Sequence, residues 1–228
     1  MKKLIPYRHL FSEEKQLTLD RVDGVGGRYY VLPSGKKLPS VTTVLGWKQK
    51  DSLIAWRKRV GEEEATRISS SASRRGTKLH KMCEDWLLNK EVDMDTDLMS
   101  IDLFNSIVPI LDEDIGPDIL AIEQPLYSEH LGLAGTVDCI ARYKGKRSII
   151  DFKTSSKLKK EEWIDNYFQQ CACYAVMYEE MTGIPIAQLV VIIAVEYEDP
   201  QIFIKKRDDW IESAKKIIKE YYNFHQLT

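Results

Sequence analysis

Asp151-Phe152-Lys153 sets a carboxylate and an ammonium two residues apart, inside the stretch Arg147-Ser148-Ile149-Ile150-Asp151-Phe152-Lys153-Thr154-Ser155. An Ile- and Phe-rich run entered from Tyr143-Lys144-Gly145-Lys146 reads as a strand leaving a tight turn. Side chains alternate faces along a strand, so Asp151 and Lys153 share one face while Ile150 and Phe152 take the other. With Lys144-Gly145 as a two-residue turn, Tyr143 pairs with Lys146, and the same register sets Asp138 across from Asp151. Opposed residues have Cβ atoms about 4.5–5.5 Å apart, where like charges repel. A divalent cation between hard oxygen ligands offsets that repulsion, and Mg2+ typically takes one or two carboxylates with waters and phosphate oxygens. The alternative is a solvated hairpin whose aspartates splay into water, since exposed charges interact weakly.

Further candidates lie upstream. Gly76-Thr77-Lys78-Leu79-His80-Lys81-Met82-Cys83-Glu84 falls in a helix expected from about Ser73 to Asn89, with His80 and Glu84 one turn apart on one face. A helical histidine is a metal ligand or an ordinary hydrogen-bonded imidazole. Glu123, in a strand expected over Ile119–Tyr127, is a third candidate carboxylate or a charged edge residue.

These groups need a frame. Arg28–Leu32 suggests a strand, and Ser40 before Val41-Thr42-Thr43-Val44-Leu45 suggests a capped helix whose free amides could meet a phosphate through Ser40 and Thr42. Asp51–Ile68 reads as a helix with Trp56 beside Arg57, Lys58 and Arg59, and Ser69–Ser73 as a flexible join to the next. Asp97–Glu113 is a further helix, and Leu131–Ile140 leads into the hairpin. Glu161–Met181 reads as a long amphipathic helix packing Trp163, Tyr167, Cys171 and Tyr178, with Gln170 and Tyr174 one turn apart. The apolar run Gln188–Glu196 is a buried strand, Gln201–Lys205 an edge strand and Asp208–His225 a closing helix. The assembled order predicts an α/β fold: a mixed central sheet flanked by helices, one domain over 1–228, with a mainly helical part at 39–117 and a sheet core at 118–228.

The formal net charge of −2 hides a segregation. Trp47–Lys81 carries ten Lys/Arg against four Asp/Glu, whereas Glu84–Glu123 carries one Lys against twelve acids. A basic stretch can meet phosphates even in an acidic chain, because local potential decides the encounter; both runs also suit solvated helix faces. No run of about eighteen apolar residues is present, which excludes a membrane helix, and Met1–Pro6 lacks a secretory apolar stretch. The four cysteines, at 83, 139, 171 and 173, are expected as reduced thiols. A soluble, cytoplasmic monomer is expected.

Gly135-Thr136-Val137-Asp138, Asp151-Phe152-Lys153-Thr154-Ser155 and Gln170-x-x-x-Tyr174, with His80 upstream, resemble the RecB-like branch of the PD-(D/E)XK nuclease superfamily. With Pro39-Ser40-Val41-Thr42 and Asp165-Asn166, the pattern looks most like the group of mitochondrial genome maintenance exonucleases and related phage and bacterial exonucleases, over roughly Pro39–Ile193. The resemblance implies a restriction-endonuclease-like fold. It implies that His80, Asp138 and Asp151 bind Mg2+ or Mn2+ and that Lys153 positions or activates the attacking water; Glu123 stays a further metal candidate on its strand position alone. The resemblance also implies that Gln170 and Tyr174 hold the DNA strand and that single-stranded ends are preferred; apart from it, Thr154, Ser155, Ser40, Thr42, Arg57, Arg75 and Lys78 are further candidate DNA contacts. Phe152 stands where the mitochondrial group has Trp, and Gln169 competes with Gln170. With no cysteine after Cys173, no iron-sulfur cluster is expected. The expected function is a metal-dependent DNA exonuclease, phage-encoded or bacterial, acting in replication, repair or degradation. A structure-specific or restriction-type endonuclease and a non-catalytic DNA-binding module are the alternatives.

Overall fold

The computed structural model describes residues 6–11, 17–24 and 26–226; the Met1–Ile5 start, read as lacking a signal, lies outside them. A six-stranded mixed sheet forms the centre, in the order β1 (Arg8–His9), β5 (Ile115–Ser128), β6 (Leu133–Tyr143), β7 (Lys146–Ser155), β8 (Gln188–Val195) and β9 (Gln201–Lys206). β1 is parallel to β5 and β7 to β8; the other neighbours are antiparallel. The β6–β7 turn has φ of 48° at Lys144 and 82° at Gly145, the left-handed pair a two-residue hairpin requires. Tyr143 pairs with Lys146, as the turn chemistry predicts.

Every residue of β8 after Gln188 is buried, because helices cover both faces of the sheet. One face packs α1 (Val41–Gly46), α5 (Asp165–Thr182) and α6 (Ile211–His225), burying Val44, Phe168, Met177, Val191 and Ile218. The other packs α3 (Glu62–Leu87) and α4 (Leu98–Glu113), burying Leu79, Phe104, Ile150, Phe152 and Ile192. α5 is the crossover between the parallel strands β7 and β8.

Three readings of local structure change. Ser69–Ser73 is not a join but lies within the 26-residue α3, and the break falls at Gly61, whose φ of 96° ends α2 (Lys50–Val60). Serine is only a mediocre helix former, whereas a left-handed glycine stops a helix outright. Trp163 is 60% exposed in a 3-10 turn ahead of α5, rather than packed by it. α5 itself is buried nearly all round, as a crossover pressed between sheet and α6 must be, and is not the amphipathic helix expected. Residues ahead of α1 also form a second antiparallel sheet, β2 (Asp20–Gly24), β3 (Gly27–Val31) and β4 (Lys37–Pro39), of which only β3 was legible. It joins the body where Tyr30, Leu32 and Leu38 bury against Ala134.

Candidate active site

The hairpin register carries Asp138 and Asp151 one step past the last β6–β7 pair, Cys139 with Ile150. There the strands part. Asp138 Oδ2 accepts the Phe152 N–H at 2.8 Å, so a side chain takes over where backbone pairing stops. On the other side of β6, Ile122 pairs with Cys139 and Gln124 with Val137, which sets Glu123 level with Asp138. Glu123 has φ of 44°, a left-handed conformation costly for a residue with a side chain and common at functional sites. Three carboxylates therefore lie side by side across β5, β6 and β7.

Ile150 and Phe152 pack under α3 and α4, which leaves Asp151 and Lys153 on the α5 side, as alternation demands. Asp151 is 1% exposed; Oδ1 accepts the Gln170 amide at 2.9 Å and Oδ2 pairs with the Lys153 ammonium. That ammonium also lies 5.4 Å from the centre of the Tyr167 ring. Burial works against the Lys153 charge, but the Asp151 and Asp138 carboxylates outweigh it and raise the pKa above its usual value. Lys153 is a fixed cation. Burial and the Asp138 charge push Asp151 upward, opposed by Lys153. Glu123 rises to about 8 through burial and the Asp138, Glu84 and Asp151 charges.

α3 brings His80 in from above. Its Nε2 lies 2.6 Å from the Phe152 carbonyl, which assigns the ring proton to Nε2 and turns the Nδ1 lone pair towards Glu123 Oε1 at 3.8 Å. Nε2 is also 3.6 Å from Asp138 Oδ2. One ligand atom from each of His80, Glu123 and Asp138 falls within a 4.8 Å group. A lone pair and two carboxylates converging in a half-buried place repel one another unless a cation intervenes, and a histidine whose other N–H donates to a backbone carbonyl is the usual arrangement of a metal ligand. The donor set fits a divalent cation. Asp151 stands beside this group, engaged by Lys153 and Gln170.

A cleft of about 650 Å³ opens over these residues. His80, Glu123, Asp138, Lys153, Gln170, Tyr174, Ser40 and Thr42 line it, so the structure brings together residues spread over 135 positions of the chain. Ser40 caps α1 by accepting the Thr43 N–H at 3.0 Å and bonds Thr42 Oγ1 at 3.0 Å. Gln169 turns away to Ser213 at 3.1 Å, which leaves Gln170 at the site. The remaining sequence candidates are not among the residues lining the cleft. Arg57 forks onto Glu62, Arg75 pairs with Glu196 at 2.9 Å, and Lys78 pairs with Asp97 at 2.7 Å. Ser155 closes its own turn with Lys157, and Thr154 is not among the lining residues. Arg21, Arg28, Thr136, Asn166 and Tyr167 line the cleft without having been singled out as contacts; of these, Thr136 and Asn166 stand in motifs that carry the resemblance.

The model of the PD-(D/E)XK nuclease superfamily matches residues 103–223, which contain Asp138, Asp151, Lys153 and Gln170. Mitochondrial genome maintenance exonuclease 1 of Homo sapiens is 30% identical over 174 residues, 71% of this chain and 50% of that protein. The Mus musculus protein of the same name is 32% identical over 131 residues, 54% of this chain and 38% of its own length. The chain thus spans about half the length, or less, of these curated relatives. A solved structure described as a candidate exonuclease of Eubacterium rectale aligns with a TM-score of 0.45 and 14% identity, covering 65% of this chain and 64% of that one.

Proposed function

Because the chain belongs to the PD-(D/E)XK nuclease superfamily, we propose that it is a metal-dependent deoxyribonuclease that removes nucleotides from ends, preferring single-stranded DNA. The observation that carries this reading is the juxtaposition, in one open cleft, of a cation-shaped donor set, His80, Glu123 and Asp138, with the Lys153 ammonium, which the buried Asp151 holds from behind. That both of these relatives are named as exonucleases supports exonucleolytic action. The preference for single strands rests on the resemblance of the Gln170/Tyr174 helix and the Pro39–Thr42 segment to exonucleases of that type.

His80, Glu123 and Asp138, with Asp151 at their side, would hold Mg2+ or Mn2+. Such an ion lowers the pKa of water from 15.7 towards about 7 and offsets charge on phosphate oxygens. The protein's own groups supply the rest. Lys153, kept protonated by Asp151, places a fixed positive charge beside the scissile phosphate, where it is worth most as charge develops. Gln170 fixes the Asp151 carboxylate and so the direction of that ammonium. Tyr174, pressed against Gly135, and the hydroxyls of Ser40 and Thr42 give the strand its polar wall. Among the described residues no helix is long and apolar enough to cross a membrane. A monomer acting in the cytoplasm of a bacterial or phage-infected cell, in DNA replication, repair or degradation, completes the reading.

The test is the purified chain on end-labelled linear single-stranded, duplex and end-blocked DNA and on circular single strands, with Mg2+, Mn2+ or EDTA. Loss of linear single strands in either metal, with circles and EDTA samples intact, is expected. Cleaved circles would establish an endonuclease, and no cleavage in either metal would leave a DNA-binding module.

A further inference from the structure

The cleft is lined by the acids Glu84, Glu123 and Asp138, with Asp151 buried behind them, and would repel a polyanion; cations at the rim have to draw it in. Among the described residues lining the cleft, four carry Lys or Arg charge: Arg21, Arg28, Lys81 and Lys153. Lys153 is matched by Asp151, and Lys81 by Glu84 at 3.1 Å and Asp85 at 2.9 Å. Among the described residues Arg21 and Arg28 share a single ion-pair partner, Asp23, at 3.2 and 2.9 Å. The surplus positive charge of the cleft therefore sits at one place, the β2–β3 hairpin.

Fold stability does not account for this pair. Its side chains are 50% and 35% exposed and that of Asp23 is 62% exposed, and exposed ion pairs of this kind contribute little. The hairpin is anchored by backbone instead. The Arg28 N–H donates to Thr43 Oγ1 at 2.9 Å, the Arg28 carbonyl accepts from Ser40 N–H at 2.8 Å, and a Cβ at Gly27 would stand 2.4 Å from the Thr43 methyl. The main chain of Arg28 is thus fixed to α1, and its side chain can change partners. A guanidinium fork released from an exposed carboxylate suits a phosphodiester oxygen pair.

We propose that Arg21 and Arg28, presented on the β2–β3 hairpin and oriented by Asp23, grip the sugar-phosphate backbone of the substrate strand at the lip of the cleft. They are positioning residues that act through phosphate and carry no base preference. The proposal rests on the nuclease reading above for the identity of the strand, but the two fail separately.

The experiment measures binding of a fluorescent single-stranded oligonucleotide in EDTA across a salt series, and KM and kcat for its cleavage in Mg2+ or Mn2+. Arg21→Ala and Arg28→Ala should each weaken binding about tenfold at low salt and reduce the slope of log K against log salt by about 0.7. KM should rise while kcat stays within about twofold, because ground and transition states lose the contact alike. Arg28→Lys should restore the slope, since charge is retained, and Arg8→Ala, which removes an exposed cation paired with Asp118 on another edge, should leave it unchanged. An unaltered slope and KM in both alanine variants would overturn the grip while leaving the nuclease standing. A slope lost equally in Arg8→Ala would reduce it to net charge and overturn it as well. Arginine-dependent binding by a wild-type chain that cleaves nothing in either metal would support the grip and remove the nuclease.

Discussion

The side-chain amide of Gln170 donates to Asp151 Oδ1 at 2.9 Å, tying the crossover helix α5 to the strand that carries the Asp151–Lys153 pair. Helix and strand are adjacent in sequence but meet only because β7 and β8 are parallel and α5 must return across the sheet. Asp151 thereby has a partner on each oxygen. The arrangement is a pre-positioned carboxylate rather than a free one.

Removing that carboxylate should hurt the fold as well as the chemistry. Asp151→Ala leaves the Lys153 ammonium buried without its partner, a change that costs about 3–5 kcal/mol. Lys153→Ala should cost less, because Asp151, already pushed upward by burial, can take a proton and become neutral. Asp151→Asn has one oxygen for the two donors Gln170 and Lys153 and no counter-charge, so it should also lose stability, and cleavage should fall by at least about 100-fold. Urea denaturation with a linear-strand cleavage assay checks both; equal stability of the two alanine variants would contradict the charge argument.

Gln169 and Gln170 are neighbours with different duties. Gln170→Ala should reduce kcat/KM by about 10–100-fold, the usual effect of losing a partner that orients a site carboxylate. Gln169→Ala removes only the bond to Ser213 and should leave kcat/KM within about twofold, with a stability loss of about 1 kcal/mol. Steady-state kinetics on one linear substrate separates the two.

The hairpin was legible in the sequence because Lys144-Gly145 admits a two-residue left-handed turn, and the turn fixes every pair above it as far as Cys139 with Ile150, which brings Asp138 and Asp151 together one step beyond. Buried strands such as β8 were legible for the same kind of reason, as continuous apolar runs. The place of Glu123 was not. It depends on register shifts between β5 and β6 around Ile119 and Ala121, which put Glu123 level with Asp138, and strand periodicity carries no mark of where a ladder slips. Of the β2–β3–β4 sheet only β3 was legible; β2 is exposed at four of its five residues and β4 is three residues long, so neither shows the alternation that marks a half-buried strand. Arg57, Arg75 and Lys78 were drawn from local charge. Charge density does not reveal that they pair with Glu62, Glu196 and Asp97, or that none of the three lines the cleft.

Crowded acids around His80 should make a divalent cation a stabiliser of the folded chain. Mg2+ or Mn2+ at about 100 times its Kd should add about 2.7 kcal/mol. Glu123→Gln relieves the buried repulsion, so its Tm in EDTA should exceed that of wild type and its gain from metal should shrink. Differential scanning fluorimetry with and without metal reads both changes. A wild-type Tm indifferent to both metals would argue against the donor set.

Asp97 gives a pH dependence away from the cleft. It caps α4 by accepting the Ser100 N–H at 3.0 Å and pairs with Lys78. The Lys78 ammonium first, then the Ser100 bond, holds its carboxyl well below the usual range. A folded value below the unfolded one means a contribution complete above about pH 4 and lost as pH falls further. Asp97→Ala should therefore cost about 1 kcal/mol at neutral pH, with the gap to wild type closing below about pH 4. Chemical denaturation of both proteins along a pH series measures the gap.

Gly135 leaves the room that the Tyr174 ring fills. A Cβ there would lie 2.7 Å from Tyr174 Cε1 and 2.9 Å from its hydroxyl, and the ring, only 3% exposed, is hemmed in on α5. Gly135→Ala should cost about 1–3 kcal/mol as the ring is forced aside, and cleavage should fall with it, because Tyr174 lines the cleft. Tyr174→Ala removes the obstacle. Combined with Gly135→Ala, it should show a stability loss smaller than the sum of the two single changes, since the clash exists only when both bulky groups are present. A double-mutant cycle in urea measures that coupling, and strict additivity would mean that the glycine is not held to this contact.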